Sequence, residues 1–256
     1  MSISILVSLM IIWGIPAGAA FYFVSQEISA CKGKSLRRDA HCPGDGGSAP
    51  NRTESKVCGS QRGGLWIFVL GILSFVLSQP VLRIPLINWL GNHWEWLMTL
   101  PYVSRAGYYG MLAVTAGLFE ETARWIGFSL IRRKKGDLVW RDGLAFGLGH
   151  GGAEAVWIGA IGFLPQLWNA AAGWSCLVGA GERVLAMVMQ LGLSFVVLQG
   201  VRKRQGRYWL LAVLLHAAID FAAVLEQVWL VECIFVAEAV AAGYYVYRMR
   251  KSMASS

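Results

Sequence analysis

Seven stretches of the chain are apolar and long enough to cross a lipid bilayer, which takes about 20 residues of α-helix. They cover approximately residues 3–24, 64–87, 105–130, 141–163, 180–200, 208–226 and 229–247. The segment between the first two, residues 25–63, is polar and rich in Gly, Ser, Lys and Arg, which is typical of a flexible loop. We therefore expect an all-α, polytopic membrane helix bundle in which residues 1–256 form a single membrane-embedded domain.

The composition supports this class of protein. Hydrophobic residues make up 56% of the chain and charged residues only 15%, against about 25% in soluble domains. The net charge of +8 would suggest nucleic-acid binding in a soluble protein. In a membrane protein it indicates cytoplasmic loops rich in Lys and Arg. We therefore expect these loops to contact anionic lipids, and we expect no nucleic-acid partner.

The distribution of basic residues predicts the orientation of the bundle. They are concentrated within residues 32–62, 132–141, 202–207 and 248–251, and the loops in between carry few. Because cytoplasmic loops carry the excess of Lys and Arg, we predict that the N-terminus lies outside and that the 25–63 loop and the C-terminus lie in the cytoplasm. Six tryptophans then fall at the outer interface, where indole rings are enriched: Trp89, Trp94, Trp96, Trp168, Trp174 and Trp229.

Ionisable residues occur inside several predicted spans, although each costs about 3 kcal/mol or more at bilayer depth. The third span holds Glu120, Glu121 and Arg124, the fourth holds His150 and Glu154, and the sixth holds His216 and Asp220; Glu182 and Arg183 lie near the outer start of the fifth, and Glu238 lies in the seventh. At a rise of about 1.5 Å per residue, the first three groups reach one layer of the bilayer. Each of them includes a pair at i,i+4 spacing, which shares a helix face. This cluster predicts a functional site, whereas Glu238 alone is interpreted as structural or left unassigned.

Glycines surround the histidine of the fourth span. Gly143, Gly147 and Gly151 repeat every fourth residue and form a small-xxx-small ridge, which lets a neighbouring helix approach closely. We therefore expect a site that is shared between helices and that excludes bulk water.

Two histidines and several carboxylates favour two related chemistries. They can bind zinc or another divalent metal that activates water, with His150, Glu154, His216 and Asp220 as candidate ligands. Alternatively, a glutamate acts as general base on a water molecule without a metal. Neither the HExxH motif of zincins nor the GxSxG motif of serine hydrolases occurs in the chain. Either chemistry indicates a hydrolase that works inside the membrane.

Four segments, FEETAR, DGLAFGLGHGGAEA, GERVLAMV and LLHAAIDF, resemble the YhfC family of intramembrane metalloproteases, with a likeness that runs over about residues 64–226. That family is related to the CPBP (CAAX prenyl protease and bacteriocin-processing) and PrsW proteases. The CPBP motifs are a double Glu, FxxxH and His-xxx-Asn/Asp, which Glu120–Glu121, Phe146–His150 and His216–Asp220 match in order. The resemblance implies an endopeptidase in the cell membrane of a prokaryote. A Glu of the pair and His150 would activate water, and His216 with Asp220 would stabilise the oxyanion.

One spacing departs from the CPBP pattern. That pattern is EExxxR, whereas this chain has EExxR, with Arg124 one residue closer, so either glutamate is a candidate for the base. Phe146, Glu182 and Arg183 are interpreted as supporting residues. The resemblance implies a membrane-embedded or lipidated peptide substrate, which we expect to be cleaved on the cytoplasmic side. Two other functions stay open: a non-catalytic scaffold or bacteriocin-immunity-type protein, and a transporter with a buried proton relay.

The five cysteines support two smaller hypotheses. Cys176 and Cys233 fall in the outer half of the bundle and are candidates for a disulfide. Cys31, Cys42 and Cys58 lie in the polar loop at spacings that match no zinc signature, so we expect no metal there.

Overall fold

The computed structural model describes residues 3–39, 64–166, 173–223 and 228–254, which are helical apart from short turns. The α-helices are α1 (Ile3–Asp39), α2 (Gly64–Val76), α3 (Ile84–His93), α4 (Glu95–Val103), α5 (Arg105–Lys135), α6 (Trp140–Phe163), α7 (Gly173–Lys203), α8 (Arg207–Ala222) and α9 (Val228–Ala254). A π-helical turn, Leu77–Arg83, joins α2 to α3, and a 3₁₀ turn, Leu164–Gln166, follows α6. No strand occurs within these ranges, so the predicted all-α membrane bundle is confirmed.

The helices follow the order of the predicted spans, but several ends differ. Helix α1 continues to Asp39, so residues 25–39 of the predicted loop are helical, whereas residues 40–63, with Cys42 and Cys58, lie outside the described residues. Helices α3 and α4 extend through the region after the second span. By length and composition, four segments of the described chain can cross a membrane: Ser4–Ser29, Gly64–His93, Trp174–Lys203 and Trp229–Met253. The count of seven spans and the orientation stay predictions.

The tryptophans predicted for the outer interface are exposed where the structure describes them. They are Trp89, Trp94, Trp96, Trp174 and Trp229, while Trp168 lies outside the described residues. The hypothesis of a disulfide between Cys176 and Cys233 is wrong, since both are free thiols. Cys176 is buried in a small apolar cluster with Ile5 of α1.

Helix α7 lies at the centre of the bundle, where it contacts α1, α5, α6, α8 and α9. The glycine ridge of α6 faces it. A methyl group built on Gly143, Gly147 or Gly151 would lie against side chains of α7, namely Leu198 and Phe195, Leu191 and Ser194, and Gln190 respectively. The predicted ridge therefore allows α6 and α7 to pack closely at the level of His150.

Helices α2 and α6 approach even more closely at Gly71 and Gly149. A Cβ atom on Gly71 would overlap the backbone carbonyl oxygen of Phe146, and one on Gly149 would overlap that of Phe68. This contact brings α2 within hydrogen-bonding distance of the histidine on α6. Helix α8 approaches α5 in the same way at Gly117, where a Cβ would lie 2.8 Å from the Val213 carbonyl oxygen.

Local signals determine where α5 begins and ends. The hydroxyl oxygen of Ser104 accepts a hydrogen bond from the Gly107 amide at 3.1 Å and caps the helix N-terminus. Gly136 ends the helix with a φ of 88°, a conformation that favours glycine. The π-helical turn after α2 contains Pro80, which lacks a backbone N–H. Such turns often occur at functional sites, and this one carries Gln79 and Arg83.

Candidate active site

The two adjacent glutamates of α5 each contact a histidine from a different helix. Glu120 Oε2 lies 2.8 Å from His150 Nε2 of α6, and Glu121 Oε1 lies 2.7 Å from His216 Nδ1 of α8. All four side chains are buried. Because an ionised carboxylate can only accept hydrogen bonds, the ring nitrogens that face the glutamates carry hydrogen in that state. The double Glu motif therefore joins α5 to both α6 and α8.

Arg124 is the buried counter-charge of both glutamates. Its Nη1 donates to Glu121 Oε1, and its Nη2 lies 3.5 Å from Glu120 Oε2. The side chain is fully buried. Positions i+3 and i+4 lie on the same helix face as position i, so the EExxR spacing lets one guanidinium contact both carboxylates.

Gln79 connects the first glutamate to an arginine on the π-helical turn. Arg83 Nη1 donates to Gln79 Oε1 at 2.8 Å, and Gln79 Nε2 donates to Glu120 Oε1 at 2.6 Å. The guanidinium of Arg83 is itself held by Thr115 Oγ1 at 3.2 Å and by the Leu112 carbonyl oxygen at 2.5 Å. Since arginine has no acceptor and an ionised carboxylate has no donor, only one orientation of the Gln79 amide makes both hydrogen bonds.

Gln190 of α7 forms a second connection of the same kind. Arg124 Nη2 donates to Gln190 Oε1, and Gln190 Nε2 donates to Glu154 Oε2. Both glutamines of the site are therefore oriented by an arginine and donate to a glutamate. Through Gln190 and Arg124, Glu154 therefore belongs to the same hydrogen-bonded network as the glutamates of α5.

The remaining nitrogens of the two histidines have different surroundings. His150 Nδ1 lies 2.7 Å from Ser74 Oγ, which is also 2.7 Å from the Gly71 carbonyl oxygen. His216 Nε2 lies 3.7 Å from Asp220 Oδ2 and 3.9 Å from Glu120 Oε1. These last two separations are too long for direct hydrogen bonds, but a bound atom between them can reach both groups. His150 is thus held on both sides, whereas His216 has one nitrogen available.

A cavity of about 410 Å³ lies beside His216 Nε2. Glu120 and Asp220, the two carboxylates nearest to this nitrogen, are part of its lining. Its polar lining includes Glu120, Glu154 and Asp220, with Gln79, Arg83 and Arg183, and its apolar lining includes Phe75, Tyr109, Trp157 and Ile158. Within α5, α6, α7 and α8, the lining residues lie in the half of each helix that is farther from the basic loops, residues 132–141 and 202–207. On the opposite side of the glutamates, Arg124, Phe128 and Phe146 are fully buried. The cavity therefore extends towards the end of the bundle opposite the basic loops.

The side chains do not fit a metal ion as they are arranged. His150 Nε2 and Glu120 Oε2 are 2.8 Å apart, whereas two ligands of one tetrahedral zinc ion are about 3.3 Å apart. In the described part of the chain, no group of three or more His, Cys, Asp or Glu residues is placed to hold an ion. The predicted ligands, His150, Glu154, His216 and Asp220, are thus not assembled around one point.

The YhfC intramembrane metalloprotease family matches residues 64–172 and 164–241. The chain belongs to the YhfC family. The uncharacterized membrane protein YhfC of Bacillus subtilis (strain 168) is 31% identical over 156 residues, which cover 49% of this chain and 59% of that protein. The match thus spans about three-fifths of the length of this curated relative. No solved structure matches the chain.

In this YhfC-family protein, most of the side chains singled out by sequence lie around one cluster. Glu120, Glu121, Arg124, His150 and His216 are in direct contact, and Asp220, Glu154 and Arg183 line the adjoining cavity. The ring of Phe146 stacks against His150, with ring centroids 6.4 Å apart. Glu182 is the exception, because it does not line the cavity and its carboxyl group lies beside Glu232 of α9.

Four members of the YhfC cluster were missed by the sequence analysis: Ser74, Gln79, Arg83 and Gln190. The first three lie in the second span or at its end, in the segment SFVLSQPVLR, and the fourth lies in the fifth span. The missed signal was the presence of uncharged polar side chains in otherwise apolar spans, since only ionisable residues were counted there. Arg83 lies within residues 64–87 of the predicted second span, but it was counted among the few basic residues of the loops outside the basic segments.

Proposed function

We propose that this YhfC-family protein is an intramembrane peptidase in which Glu120 acts as general base on a water molecule. The observation that carries this proposal is that Glu120 lines the cavity while hydrogen bonds from His150 and Gln79 orient its carboxylate. A general base must be within hydrogen-bonding reach of the proton that it removes. Glu121 is fully buried and does not line the cavity, which favours Glu120 over Glu121.

The proposed reaction uses the protein's own acid–base groups. Glu120 removes a proton from water, and the water oxygen attacks the carbonyl carbon of the scissile peptide. The C–N bond of the tetrahedral intermediate then breaks, and Glu120 returns the proton to the leaving amine, so the products are a carboxylic acid group and an amine. His216 Nε2, which faces the gap between Glu120 and Asp220, stabilises the oxyanion when it carries a proton.

The surrounding residues have positioning roles in this mechanism. His150, held by Ser74, and Gln79, held by Arg83, determine the direction of the Glu120 carboxylate. Glu121 orients His216 through Nδ1 and gives the protonated ring a counter-charge. Asp220 lies on the Nε2 side of that ring and is the more exposed partner, with 38% of its side chain accessible. Asp220 is therefore proposed to contact the substrate or the attacking water.

The cavity supports a membrane-embedded or lipidated peptide as the substrate. Its aromatic and aliphatic lining suits an apolar segment, and its acidic end contains the proposed base. Under the orientation predicted from the basic loops, the cavity extends from the catalytic layer towards the outside. We therefore propose access from that side, in contrast to the cytoplasmic cleavage expected from the sequence.

The proposed location is the cell membrane of a prokaryote. The chain is an α-helical membrane protein, and the relative described as a membrane protein comes from Bacillus subtilis (strain 168). In this location a catalytic layer inside the bundle meets substrates that are already in or anchored to the bilayer.

The test is a comparison of newly formed peptide N-termini in membranes that contain wild-type protein or the variant Glu120→Gln. A terminus present only with the wild type identifies a cleaved protein. Cleavage of a synthetic peptide around that site by the purified protein in liposomes then measures the reaction directly. Loss of a positioned general base lowers rates by about 10²- to 10⁴-fold, so we expect Glu120→Gln to fall in this range.

Glu238→Gln is the matched control, because Glu238 lies on α9 and lines a different cavity. We expect this variant to cleave the peptide as the wild type does. If wild type and Glu120→Gln release the same termini, or cleave the same peptide equally, the catalytic proposal is wrong and a scaffold or immunity-type function takes its place.

A further inference from the structure

A second polar cavity, of about 500 Å³, lies at the opposite end of the bundle, between the ends of α5 and α7. It is lined by Trp125, Ser129, Arg132, Arg133, Gly136, Val201 and Arg204. Three arginines thus converge on one space, and no acidic side chain lines it. On α5, the lining residue nearest to Glu120 is Trp125, which lies about one and a half helical turns further along the chain.

Two of the three arginines, Arg132 and Arg204, are hydrogen-bonded to the backbone at the end of α7. Arg132 Nη1 donates to the Val201 carbonyl oxygen at the end of α7. Arg204 has a φ of 57°, a left-handed conformation that is unfavourable for a residue with a side chain. Its amide donates to the Val201 carbonyl oxygen at 3.2 Å. Arg204 thus belongs to the turn after α7, Arg132 of α5 is hydrogen-bonded to the same Val201 carbonyl group, and both residues line the cavity.

The positive charge of this cavity is poorly balanced by the protein. The neighbouring carboxylate, Asp137, is 74% exposed and lies 3.9 Å from Arg202, outside the lining. The C-terminal ends of α5 and α7 have negative partial charge, but the Arg132 carbonyl oxygen already accepts from the Gly136 amide and the Val201 carbonyl oxygen accepts from the Arg132 guanidinium. Arg132 is half-buried, whereas Arg133 and Arg204 are exposed, so an anion that enters the cavity from the surrounding medium can reach all three positive charges.

Guanidinium groups recognise phosphate particularly well, because two parallel N–H donors match two phosphate oxygens. The cavity lies at the end of the bundle that carries the basic loops, next to the half-buried indole of Trp125, which is a side chain typical of the membrane interface. We propose that this arginine cavity binds a phosphate group, as presented by the headgroup of an anionic phospholipid. This site is independent of the proposed peptidase activity.

The test is binding of phosphatidylglycerol to the purified protein in detergent, measured by native mass spectrometry, with phosphatidylcholine as the zwitterionic comparison. We expect Arg133→Gln and Arg204→Gln each to weaken phosphatidylglycerol binding about tenfold and the double variant to abolish selectivity. Arg248→Gln is the control, since it removes the same charge from an exposed arginine on α9 at the same end of the bundle. It should bind as the wild type does.

A second arm distinguishes the source of the phosphate. Inorganic phosphate at millimolar concentration is added as a competitor: displacement of the lipid indicates a site for any phosphate, whereas no displacement indicates a lipid headgroup site. Thermal unfolding of each variant without lipid shows whether that variant is folded. If Arg133→Gln is unfolded, Arg133→Lys is used in its place, because it keeps the charge and removes the two parallel N–H donors of the guanidinium. Equal binding of both lipids by the wild type, or equal weakening by Arg248→Gln, overturns the proposal.

Discussion

Gln79 Nε2 lies 2.6 Å from Glu120 Oε1, and the same amide accepts a hydrogen bond from Arg83 at 2.8 Å. The proposed base is therefore oriented by a neutral side chain that cannot itself take up the proton. This hydrogen bond comes from a π-helical turn interrupted by Pro80, which brings both Gln79 and Arg83 to the cavity.

Replacing this amide should lower the rate more than the affinity. A hydrogen bond to a charged group is worth about 1.5–3 kcal/mol, so we expect Gln79→Met to reduce kcat by about ten- to hundredfold with little change in KM. The measurement is steady-state cleavage of the identified peptide in liposomes. Ser78→Ala is the control, since the hydroxyl group of the adjacent buried Ser78 donates to the Phe75 carbonyl oxygen of its own helix and not to the proposed base. A change in KM alone would contradict the positioning role.

Removing Arg124 should destabilise the folded protein as well as lower its activity. Its absence leaves Glu120 and Glu121 buried without their shared counter-charge, and breaking such a pair costs about 3–5 kcal/mol. We expect Arg124→Met to lower the thermal unfolding temperature in detergent and the yield of monodisperse protein. The double variant Arg124→Met, Glu121→Gln should recover part of this loss, because one uncompensated charge is also removed. An unchanged unfolding temperature in the single variant would contradict this account.

Metal dependence distinguishes the two chemistries suggested by the sequence. Because His150 and Glu120 are in direct contact, we expect the purified enzyme to keep its activity after treatment with a chelator and dialysis against metal-free buffer. Elemental analysis should find less than one metal ion per chain. Loss of activity that zinc restores would show instead that the cluster rearranges around an ion.

The close contact between α2 and α6 should be sensitive to a single methyl group. In Gly149→Ala the new methyl group overlaps the backbone carbonyl of Phe68, and overpacking of this kind costs about 1–3 kcal/mol. We expect a lower unfolding temperature and weaker cleavage, because the contact also sets the distance from Ser74 to His150. Gly162→Ala, on the same helix with nothing within 4 Å of the new methyl, should behave as the wild type.

The predicted orientation can be tested with an impermeant thiol reagent. In a background with Cys176→Ser and Cys233→Ser, the remaining cysteines all lie in the region predicted to be cytoplasmic. We expect labelling only after the cells are permeabilised. Labelling of intact cells would show that the orientation is the opposite of the predicted one. The cavity beside Glu120 would then extend towards the cytoplasm.

The sequence by itself determined the class of the protein and the positions along the chain where function concentrates. Apolar segments of membrane-spanning length require helices, because a helix satisfies its own backbone hydrogen bonds in lipid. Ionisable residues in such segments are costly, which is why Glu120, Glu121, His150 and His216 could be selected. The glycine ridge of α6 was also predictable, since it depends only on spacing within one helix.

Tertiary structure alone decided which side chains meet. Sequence spacing suggested pairs within a helix, such as His150 with Glu154, whereas each histidine is hydrogen-bonded to a glutamate on another helix, as in His150 with Glu120 and His216 with Glu121. These contacts depend on how each helix is rotated about its axis and how closely it approaches its neighbours. The direction of the cavity and the part played by Gln79 depend on the same packing. Periodicity within one segment carries no information about the rotation of another, and that is the physical reason why they could not be predicted.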